Sequence, residues 1–420
     1  MEFTLNGYYT LILATLVLLV GRFLVKRIKF LSDFNIPEPV AGGLVGAAIV
    51  YGLNVAFGYS FNFQKELQTA CMLMFFASIG LSADFSRLKA GGKGLLVFLF
   101  VVSFFIILQD AVGVGLAKLL DIDPLLGLVA GSIALTGGHG TAGAWGATFE
   151  ETYGVVGATT LGIACATYGL VSGGIIGGPV ARRLINKLGI KSSVQSGTPL
   201  NATARSLDGT PTDIKGGDYS SEEIFEKSDD VRLITAISAV ETLALFAACL
   251  AFSDIMVGVA KDTWFELPQF VWALFGGVVI RNILTNLFNF DMFDRAIDVF
   301  GNASLSLFLA MALLSLKLWE LTDLAGPILI ILVVQTVVMV LYATFVTYRI
   351  MGKDYDAAVL AAGHCGFGMG ATPTAIANMQ AITDRYVPSH KAFLIVPMVG
   401  AFFVDIVNVA ILQTFIGFIG

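Results

Sequence analysis

The amino-acid sequence predicts an all-α polytopic membrane protein with ten transmembrane helices, arranged as two inverted five-helix repeats that each hold a glycine-rich re-entrant loop. Composition is the first reason, because 56% of the 420 residues are hydrophobic and only 13% are charged. An ordinary soluble domain carries about 25% charged residues. Apolar windows recur along the whole chain, and each is long enough to cross a membrane as a helix. A polar linker and a one-sided charge distribution supply the remaining reasons.

Twelve apolar segments follow one another, and two of them are too rich in glycine for lipid-facing helices. The stretch "AGHCGFGMGATPTAIANM" holds Gly363, Gly366, Gly368 and Gly370, with Pro373 close behind. Backbone groups freed from a helix must be buried in protein or line a cavity at membrane depth. The predicted spans are 8–25, 38–57, 67–83, 94–119, 154–181, 231–253, 267–285, 300–318, 325–348 and 390–418, and the predicted re-entrant loops are about 124–149 and 355–380.

The distribution of basic residues predicts the orientation. With the N-terminus outside the cytoplasm and both loops returning to their own side, all but four of the 25 lysines and arginines lie inside. The four outside are Lys65, Lys118, Lys261 and Lys317. This bias follows the positive-inside rule, and it would collapse if either loop were a full span. Both termini are therefore expected on the outer, periplasmic side.

The chain divides into an N-terminal repeat (1–190), a polar cytoplasmic linker (191–228) and a C-terminal inverted repeat (229–420). Phe75–Leu88 matches Phe308–Leu321, and Ala130–Trp145 matches Ala362–Ala377, at offsets that agree to within one residue. Each half holds an odd number of spans, so the halves face opposite ways. Interrupted apolar segments at equivalent places in two inverted halves indicate the binding site of a secondary transporter.

The two loops offer backbone amides and hydroxyls in place of cationic side chains. Glycine lets the backbone turn sharply and approach a ligand, and half-helix N-termini favour a carboxylate. Side-chain hydrogen bonds could come from Thr136, Thr141, Thr372, Thr374 and Asn378. Neither motif contains arginine or lysine, so an anionic ligand would depend on amides, hydroxyls, helix ends and bound cations. Tight packing of small residues is the alternative interpretation.

Acidic and amide side chains at membrane depth are candidate cation ligands, because such groups are costly there. Asp405 and Asn408 lie three residues apart on one helix face and offer oxygen ligands for sodium or a site for a proton. A buried polar pair that joins helices is the alternative. Asn302 and Ser304 add oxygens near a second possible helix break. Asp110 and Glu241 are weaker candidates.

His139 and His364 lie inside the two loop motifs. A lone histidine in a helical protein is more often a hydrogen-bonded packing residue than a ligand, although its pKa also suits proton chemistry. The sequence holds no GxxxxGK[ST], HExxH or GxSxG pattern, and its four cysteines form no CxxC pair. An ATP-driven pump, an enzyme, an organic cofactor and a zinc site are therefore not expected.

At these residues the sequence resembles the bacterial glutamate:sodium symporter family. The motifs that carry the resemblance are "IPEPVAGGL", "LTGGHGTAGAW", "NASLSLFLAMALLSLKLWEL", "AAGHCGFGMGATPTAIANMQAIT" and "PSHKAFLIVPMVGAFFVDIVN". They extend over nearly the whole chain, apart from the linker. The resemblance implies sodium-coupled uptake of L-glutamate through the bacterial inner membrane, by alternating access. It also implies an elevator-like movement, a homodimer surrounded by lipid, and no nucleic-acid partner.

The expected site combines this resemblance with the residue chemistry. The substrate positions would be Thr136, Gly137, Gly138, His139, Gly140, Thr141, Gly366, Phe367, Gly368, Met369, Gly370, Ala371, Thr372, Thr374 and Asn378. The coupling ion, Na⁺, would be held by Asp405, Asn408, Asn302 and Ser304. A sodium- or proton-coupled carrier of dicarboxylates and tricarboxylates is the nearest alternative. An ion channel is a second alternative, and an enzyme with His139 and His364 around a metal is a distant third.

Overall fold

The computed structural model describes residues 2–34, 36–83, 92–188, 233–261, 263, 267–315 and 324–419. Within these ranges the chain is helical apart from one small sheet. Eight helices are long and apolar enough to cross a membrane. The prediction of a helical polytopic membrane protein is therefore confirmed. The predicted linker, 191–228, lies outside the described residues, as do residues 316–318 of the eighth predicted span.

The first half begins with a short strand and continues through helices that coincide with the predicted segments. Its elements are β1 (Glu2–Thr4), α1 (Gly7–Arg27), α2 (Lys29–Asp33), α3 (Glu38–Phe57), β2 (Ser60–Asn62), α4 (Lys65–Ser82), α5 (Gly92–Leu119), α6 (Pro124–Ile133), α7 (Gly138–Tyr153) and α8 (Ala158–Lys187). The segment predicted as the first re-entrant loop is thus two short helices, α6 and α7, separated by a break.

The second half repeats this order of helices. Its elements are α9 (Ala236–Ala260), α10 (Gln269–Phe288), α11 (Asp294–Leu314), α12 (Ala325–Ile350), α13 (Tyr355–Met369), α14 (Thr372–Thr383), α15 (His390–Met398) and α16 (Val404–Ile419). Helices α13 and α14 form the second broken segment. A π-helical turn, Val399–Phe403, joins α15 to α16 just after Pro397. A proline inside a helix removes one backbone hydrogen bond, which explains an irregularity there.

The sheet was not predicted from the sequence. Strands β1 and β2 pair in parallel, with Glu2 opposite Ser60 and Thr4 opposite Asn62. Phe3 stacks on Phe61 across the pair, with ring centroids 5.5 Å apart. Three residues per strand are too few to show a period in sequence, and the partners are far apart along the chain.

The helices pack into two groups. The frame helices are α1, α3, α4, α9, α10 and α11, and the loop-bearing helices are α5–α8 and α12–α16. Each group takes equivalent helices from both halves of the chain. The largest hydrophobic core lies mostly among the loop-bearing helices, and two smaller cores lie among the frame helices. The groups meet where α7 packs on α11, and Trp145 of α7 stands edge-on to Phe270 of α10, with centroids 5.3 Å apart.

Candidate functional site

Both broken segments begin in the same way. Asp123 caps α6 by accepting a hydrogen bond from the Leu125 amide, and Asp354 caps α13 by accepting one from the Ala357 amide. A capping carboxylate satisfies an amide that the first turn leaves unpaired. These two aspartates occupy equivalent places in the two halves. The caps therefore fix where each broken segment starts.

The breaks themselves depend on glycine. Gly131 interrupts α6 with φ −99° and ψ −131°, and Gly138 opens α7 with φ +73°. In the second segment, Gly370 has φ −151° and ψ −88°, and Ala371 is extended before α14 begins at Thr372. A positive φ such as that of Gly138 is readily adopted only by glycine. Each break leaves backbone groups outside the helical hydrogen-bond pattern.

The two breaks touch each other. Gln109 of α5 joins them, because its amide accepts a bond from the Thr136 hydroxyl (2.7 Å) and donates one to the Gly368 carbonyl (3.1 Å). A Cβ added at Gly138 would lie 3.2 Å from the Gly370 carbonyl oxygen, so the backbones are almost in contact. Sequence reasoning missed Gln109, although a glutamine inside an apolar helix was an available signal.

A cavity of about 590 Å³ lies at this meeting point, between the frame helices and the loop-bearing helices. That volume is in the range of about 300–1,000 Å³ for small-molecule sites. Eight of the predicted substrate positions line it: Thr136, Gly137, Gly138, His139, Gly140, Gly370, Ala371 and Thr372. The frame contributes Phe75, Ser78 and Ser82 of α4 and Asn302 and Ser306 of α11.

The charged groups around the cavity are all acidic. Its described lining includes Glu38, Asp298 and Asp405, and it includes no lysine or arginine. The Ser82 hydroxyl lies 3.4 Å from an Asp298 carboxylate oxygen. An anion that entered such a site alone would be repelled and would lose its hydration without compensation. The arrangement suits an anion only in the company of cations.

The other seven predicted substrate positions pack behind the cavity rather than lining it. Asn378 donates to the Gly173 carbonyl (2.9 Å) and so joins α14 to α8. Gly368 supplies the carbonyl that Gln109 and Thr136 contact. Thr374 is 2% exposed, and its hydroxyl has no hydrogen-bond partner in the part of the chain that the structure describes. Thr141, Gly366, Phe367 and Met369 are buried in the helix contacts.

Comparison with known proteins finds relatives that match nearly the full length of the chain. The family described as "Sodium/glutamate symporter" matches residues 3–388. A sodium/glutamate symporter of Haemophilus influenzae is 53% identical over 413 residues, which is 98% of both chains. One from Escherichia coli is 53% identical over 414 residues, covering 99% of this chain and 98% of the relative.

The chain belongs to the sodium/glutamate symporter family. The resemblance drawn from the motifs is therefore confirmed. The family is named for transport, in agreement with the expectation that this protein is not an enzyme.

The residues predicted to bind the family's sodium separate into two pairs. Asp405 and Asn302 line the cavity, on α16 and α11 respectively. Asn408 faces away from it and contacts Ser132, with 2.7 Å between its Oδ1 and the Ser132 Oγ. Ser304 is buried and does not line the cavity. The structure thus brings two of the four predicted sodium residues to the site that the symporter loops form.

The two histidines of the symporter loops differ in surroundings. His139 lines the cavity, and its Nε2 lies 3.0 Å from the Thr167 hydroxyl. That hydroxyl donates its single hydrogen to the Ile163 carbonyl, so the ring must be the donor to Thr167. His364 is fully buried, and its Nδ1 lies 2.9 Å from the Thr347 hydroxyl.

A larger cavity, of about 1220 Å³, lies at the other end of the helices. It is bounded by the strand β2, the C-terminal part of α7 and the start of α10. None of the predicted substrate or sodium positions lines it. Position and chemistry, rather than size, therefore make the smaller cavity the candidate site of the symporter.

Proposed function

We propose that this protein is a secondary active transporter that takes up L-glutamate together with sodium, by alternating access, across a bacterial inner membrane. Its membership of the sodium/glutamate symporter family supports both the substrate and the coupling ion. The observation that carries the proposal is the cavity where both glycine-rich breaks meet and where every charged residue of the described lining is acidic. Glutamate carries a net negative charge, so sodium supplies the compensation that the lining lacks.

The proposed contacts with substrate come from the cavity side of the two breaks. The first-turn amides of α7 and α14, which begin at Gly138 and Thr372, would receive the carboxylates. The hydroxyls of Thr136 and Thr372 already donate to Gln109 and to the Gly400 carbonyl, so they offer substrate only their acceptor lone pairs. His139 presents its remaining ring nitrogen as a hydrogen-bond acceptor, because Thr167 uses the other. The predicted positions behind the cavity would shape the breaks without touching substrate.

The proposed sodium ligands are Asp405 and Asn302, which line the cavity from different helices. A carboxylate and an amide carbonyl are oxygen ligands, and the loop carbonyls around the breaks add more. Asp405 is the key residue, because sodium there would neutralise a charge that otherwise opposes glutamate. We do not extend the sodium site to Asn408, since its amide is engaged by Ser132, or to buried Ser304.

We propose that the chain crosses the membrane ten times, with α6–α7 and α13–α14 as re-entrant loops between inverted repeats 1–190 and 229–420. Helix α4 and the pair α15–α16 supply the two spans beyond the eight long apolar helices. The division into frame and loop-bearing helices supports an elevator movement, in which the loop-bearing helices carry the cavity past the frame. Both termini would be periplasmic, and the segment 191–228 would link the repeats in the cytoplasm.

In that topology the structure is open to the cytoplasm. The cavity reaches Glu38, which is exposed at the start of α3 on the proposed cytoplasmic side. We further propose a homodimer in which the frame helices form the contact between copies, because the loop-bearing group must remain free to move.

The test is uptake of labelled L-glutamate into proteoliposomes, with an inward sodium gradient or with choline in its place. Accumulation that depends on sodium supports the proposal, and uptake that is equal in choline contradicts the coupling. Asp405→Asn should remove the sodium dependence. Asp254→Asn is the matched control, because it makes the same change at an exposed position on frame helix α9.

The same assay distinguishes two alternative functions from glutamate symport. A carrier of dicarboxylates or tricarboxylates would lose uptake when unlabelled citrate or malate competes, whereas a glutamate carrier would lose it only with glutamate analogues. An ion channel would equilibrate its substrate without accumulating it.

A further inference from the structure

A second polar cluster lies away from the cavity, where three helical elements meet. It consists of Asp110 on α5, Ser132 beside the break in α6, and Asn408 on α16, and all three are at most 1% exposed. The Ser132 amide donates to Asp110 Oδ1 (2.9 Å), and the Ser132 Oγ lies 3.0 Å from Asp110 Oδ2. The same Oγ lies 2.7 Å from Asn408 Oδ1. These residues are called the Asp110 cluster below.

The cluster is short of one hydrogen if Asp110 is ionised. A serine hydroxyl has a single hydrogen, yet it faces two oxygens that both need a donor. Asn408 cannot provide the missing hydrogen there, because its Nδ2 donates to the Ser132 carbonyl at 3.3 Å. Rotating that amide would place its oxygen against the carbonyl oxygen. Placing the missing hydrogen on Asp110 Oδ2, which then donates to Ser132 while Ser132 donates to Asn408, satisfies the oxygens of the cluster.

The surroundings of the cluster also oppose a negative charge. Among the described residues, no lysine or arginine pairs with Asp110. Helix α6 has no ionisable side chain. The other elements packed against α5 carry Tyr342, Tyr348 and Arg349 on α12, His390 and Lys391 on α15, and Asp405 on α16. The Tyr342 hydroxyl donates to the Val101 carbonyl, and Arg349 lies over the Phe345 ring, so neither neutralises Asp110.

The geometry favours a proton over a metal ion. The oxygen–oxygen distances of 2.7 and 3.0 Å are hydrogen-bond lengths, so each of these pairs of oxygens is expected to share a hydrogen. A Cβ at Gly131 would lie 2.9 Å from Asp110 Oδ1, so the backbone closes the cluster from the other side. A buried unpaired carboxylate would be strongly destabilising, and a protonated one completes the hydrogen bonds.

We propose that Asp110, Ser132 and Asn408 form a proton-binding site, whose proton holds the first glycine-rich break against α16. Loss of the proton turns the Ser132 hydrogen towards the new carboxylate and breaks the bond from Ser132 to Asn408. That leaves only the bond from Asn408 Nδ2 to the Ser132 carbonyl in the cluster and so weakens the contact of the break with α16, which carries Asp405 one turn away. If the protein takes up glutamate as proposed, uptake should decline at alkaline pH, when Asp110 loses its proton. This consequence for transport rests on the proposed function.

The direct test is infrared spectroscopy of the purified full-length protein, titrated from acidic to alkaline pH. The unaltered protein should show the carbonyl stretch of a protonated carboxylic acid at neutral pH, and Asp110→Asn should lack it. Asparagine can donate to Ser132 and accept from its amide, so this variant should fold and mimic the protonated form. Asp254→Asn, on the exposed face of α9, should keep the band. A spectrum that Asp110→Asn leaves unchanged overturns the proposal.

A second variant keeps the carboxyl group in place. Ser132→Ala removes the acceptor of the Asp110 proton, so the band should shift in frequency, and an unshifted band contradicts the assignment. In proteoliposomes, Asp110→Asn should retain uptake at alkaline pH where the unaltered protein loses it, and a parallel decline in both would refute the switch. The spectrum requires no transport, so its result stands whether or not glutamate is the substrate. Sodium-driven uptake without the band would refute only the proton site.

Discussion

Each broken segment consists of two short helices separated at a glycine, but the two segments have different chemistry at equivalent positions. In the alignment of the two halves, Ser132 of the first segment corresponds to His364 of the second. Ser132 takes part in polar contacts with Asp110 and Asn408. His364 instead contacts the rings of Phe98, Phe105, Tyr342 and Phe367, and its Nδ1 lies 2.9 Å from the Thr347 hydroxyl. Its Nε2 is buried with no hydrogen-bond partner among the described residues.

This difference indicates that the two segments have different roles. The fold brings two glycine-containing breaks together from opposite halves of the chain, and this is the feature that both segments share. The first segment then adds groups that can bind or release a proton, whereas the second is anchored by aromatic packing. The meeting of the two breaks therefore sets where the site lies, and individual side chains decide what each side of it does.

The largest effect is expected where the two segments touch. Gly138→Ala should reduce glutamate uptake at least about tenfold. It combines a left-handed backbone cost of roughly 1–2 kcal/mol with a Cβ only 3.2 Å from the Gly370 carbonyl oxygen. Uptake in proteoliposomes, corrected for the amount of folded protein, is the measurement.

Gly154→Ala is the matched control for that change. Gly154 has φ +70°, close to the +73° of Gly138, but a Cβ there would meet nothing within 4 Å. Both variants therefore carry the backbone cost, and only one disturbs the contact between segments. Equal losses of uptake would mean that the contact between the breaks has no role in transport.

The next largest effect is expected on stability, at the equivalent positions Ser132 and His364. Ser132→Ala should lower stability by about 1–3 kcal/mol, because it leaves buried oxygens of Asp110 and Asn408 without a partner. His364→Phe should cost less, about 0.5–1.5 kcal/mol, because it keeps a planar ring of similar size in an aromatic pocket and loses one hydrogen bond, that with the Thr347 hydroxyl. Thermal unfolding in detergent measures both. A larger loss from His364→Phe would reverse the proposed difference between the segments.

The smallest effect concerns two threonines of the second segment. Thr372 lines the cavity and donates to the Gly400 carbonyl (3.0 Å), whereas the Thr374 hydroxyl is buried and unpaired. Thr372→Val should reduce uptake a few-fold, in line with about 0.5–1.5 kcal/mol for a hydrogen bond. Thr374→Val should leave uptake unchanged and stability equal or higher. A loss of uptake only in Thr374→Val would move the substrate to the other side of α14.

The helices and their breaks were accessible from the sequence because each has a local signal. Long apolar runs predict α1, α5 or α12, and clustered glycines predict the interruptions near Gly138 and Gly370. The motif residues that line the cavity were also identified, since glycine and threonine in an apolar chain are conspicuous. The re-entrant path and the orientation remain predictions.

The contacts behind the cavity could not be read from the sequence. Gln109 joins the two breaks only because α5 passes between them, which no local pattern reveals. Asn378 and Asn408 look alike in sequence, as amides in apolar helices, yet both face packed helices rather than the cavity. Whether a side chain is buried, and which way it points, depends on which helices are its neighbours. The pairing of β1 with β2 likewise depends on which segments the fold brings together.

An acidic cavity should accept glutamate only when sodium is present. Calorimetry of L-glutamate binding to the purified protein, in sodium chloride and in choline chloride, tests it without any transport step. Glutamate is expected to bind in sodium and not measurably in choline, and Asp405→Asn should abolish this difference. Equal affinity in the two salts would contradict it.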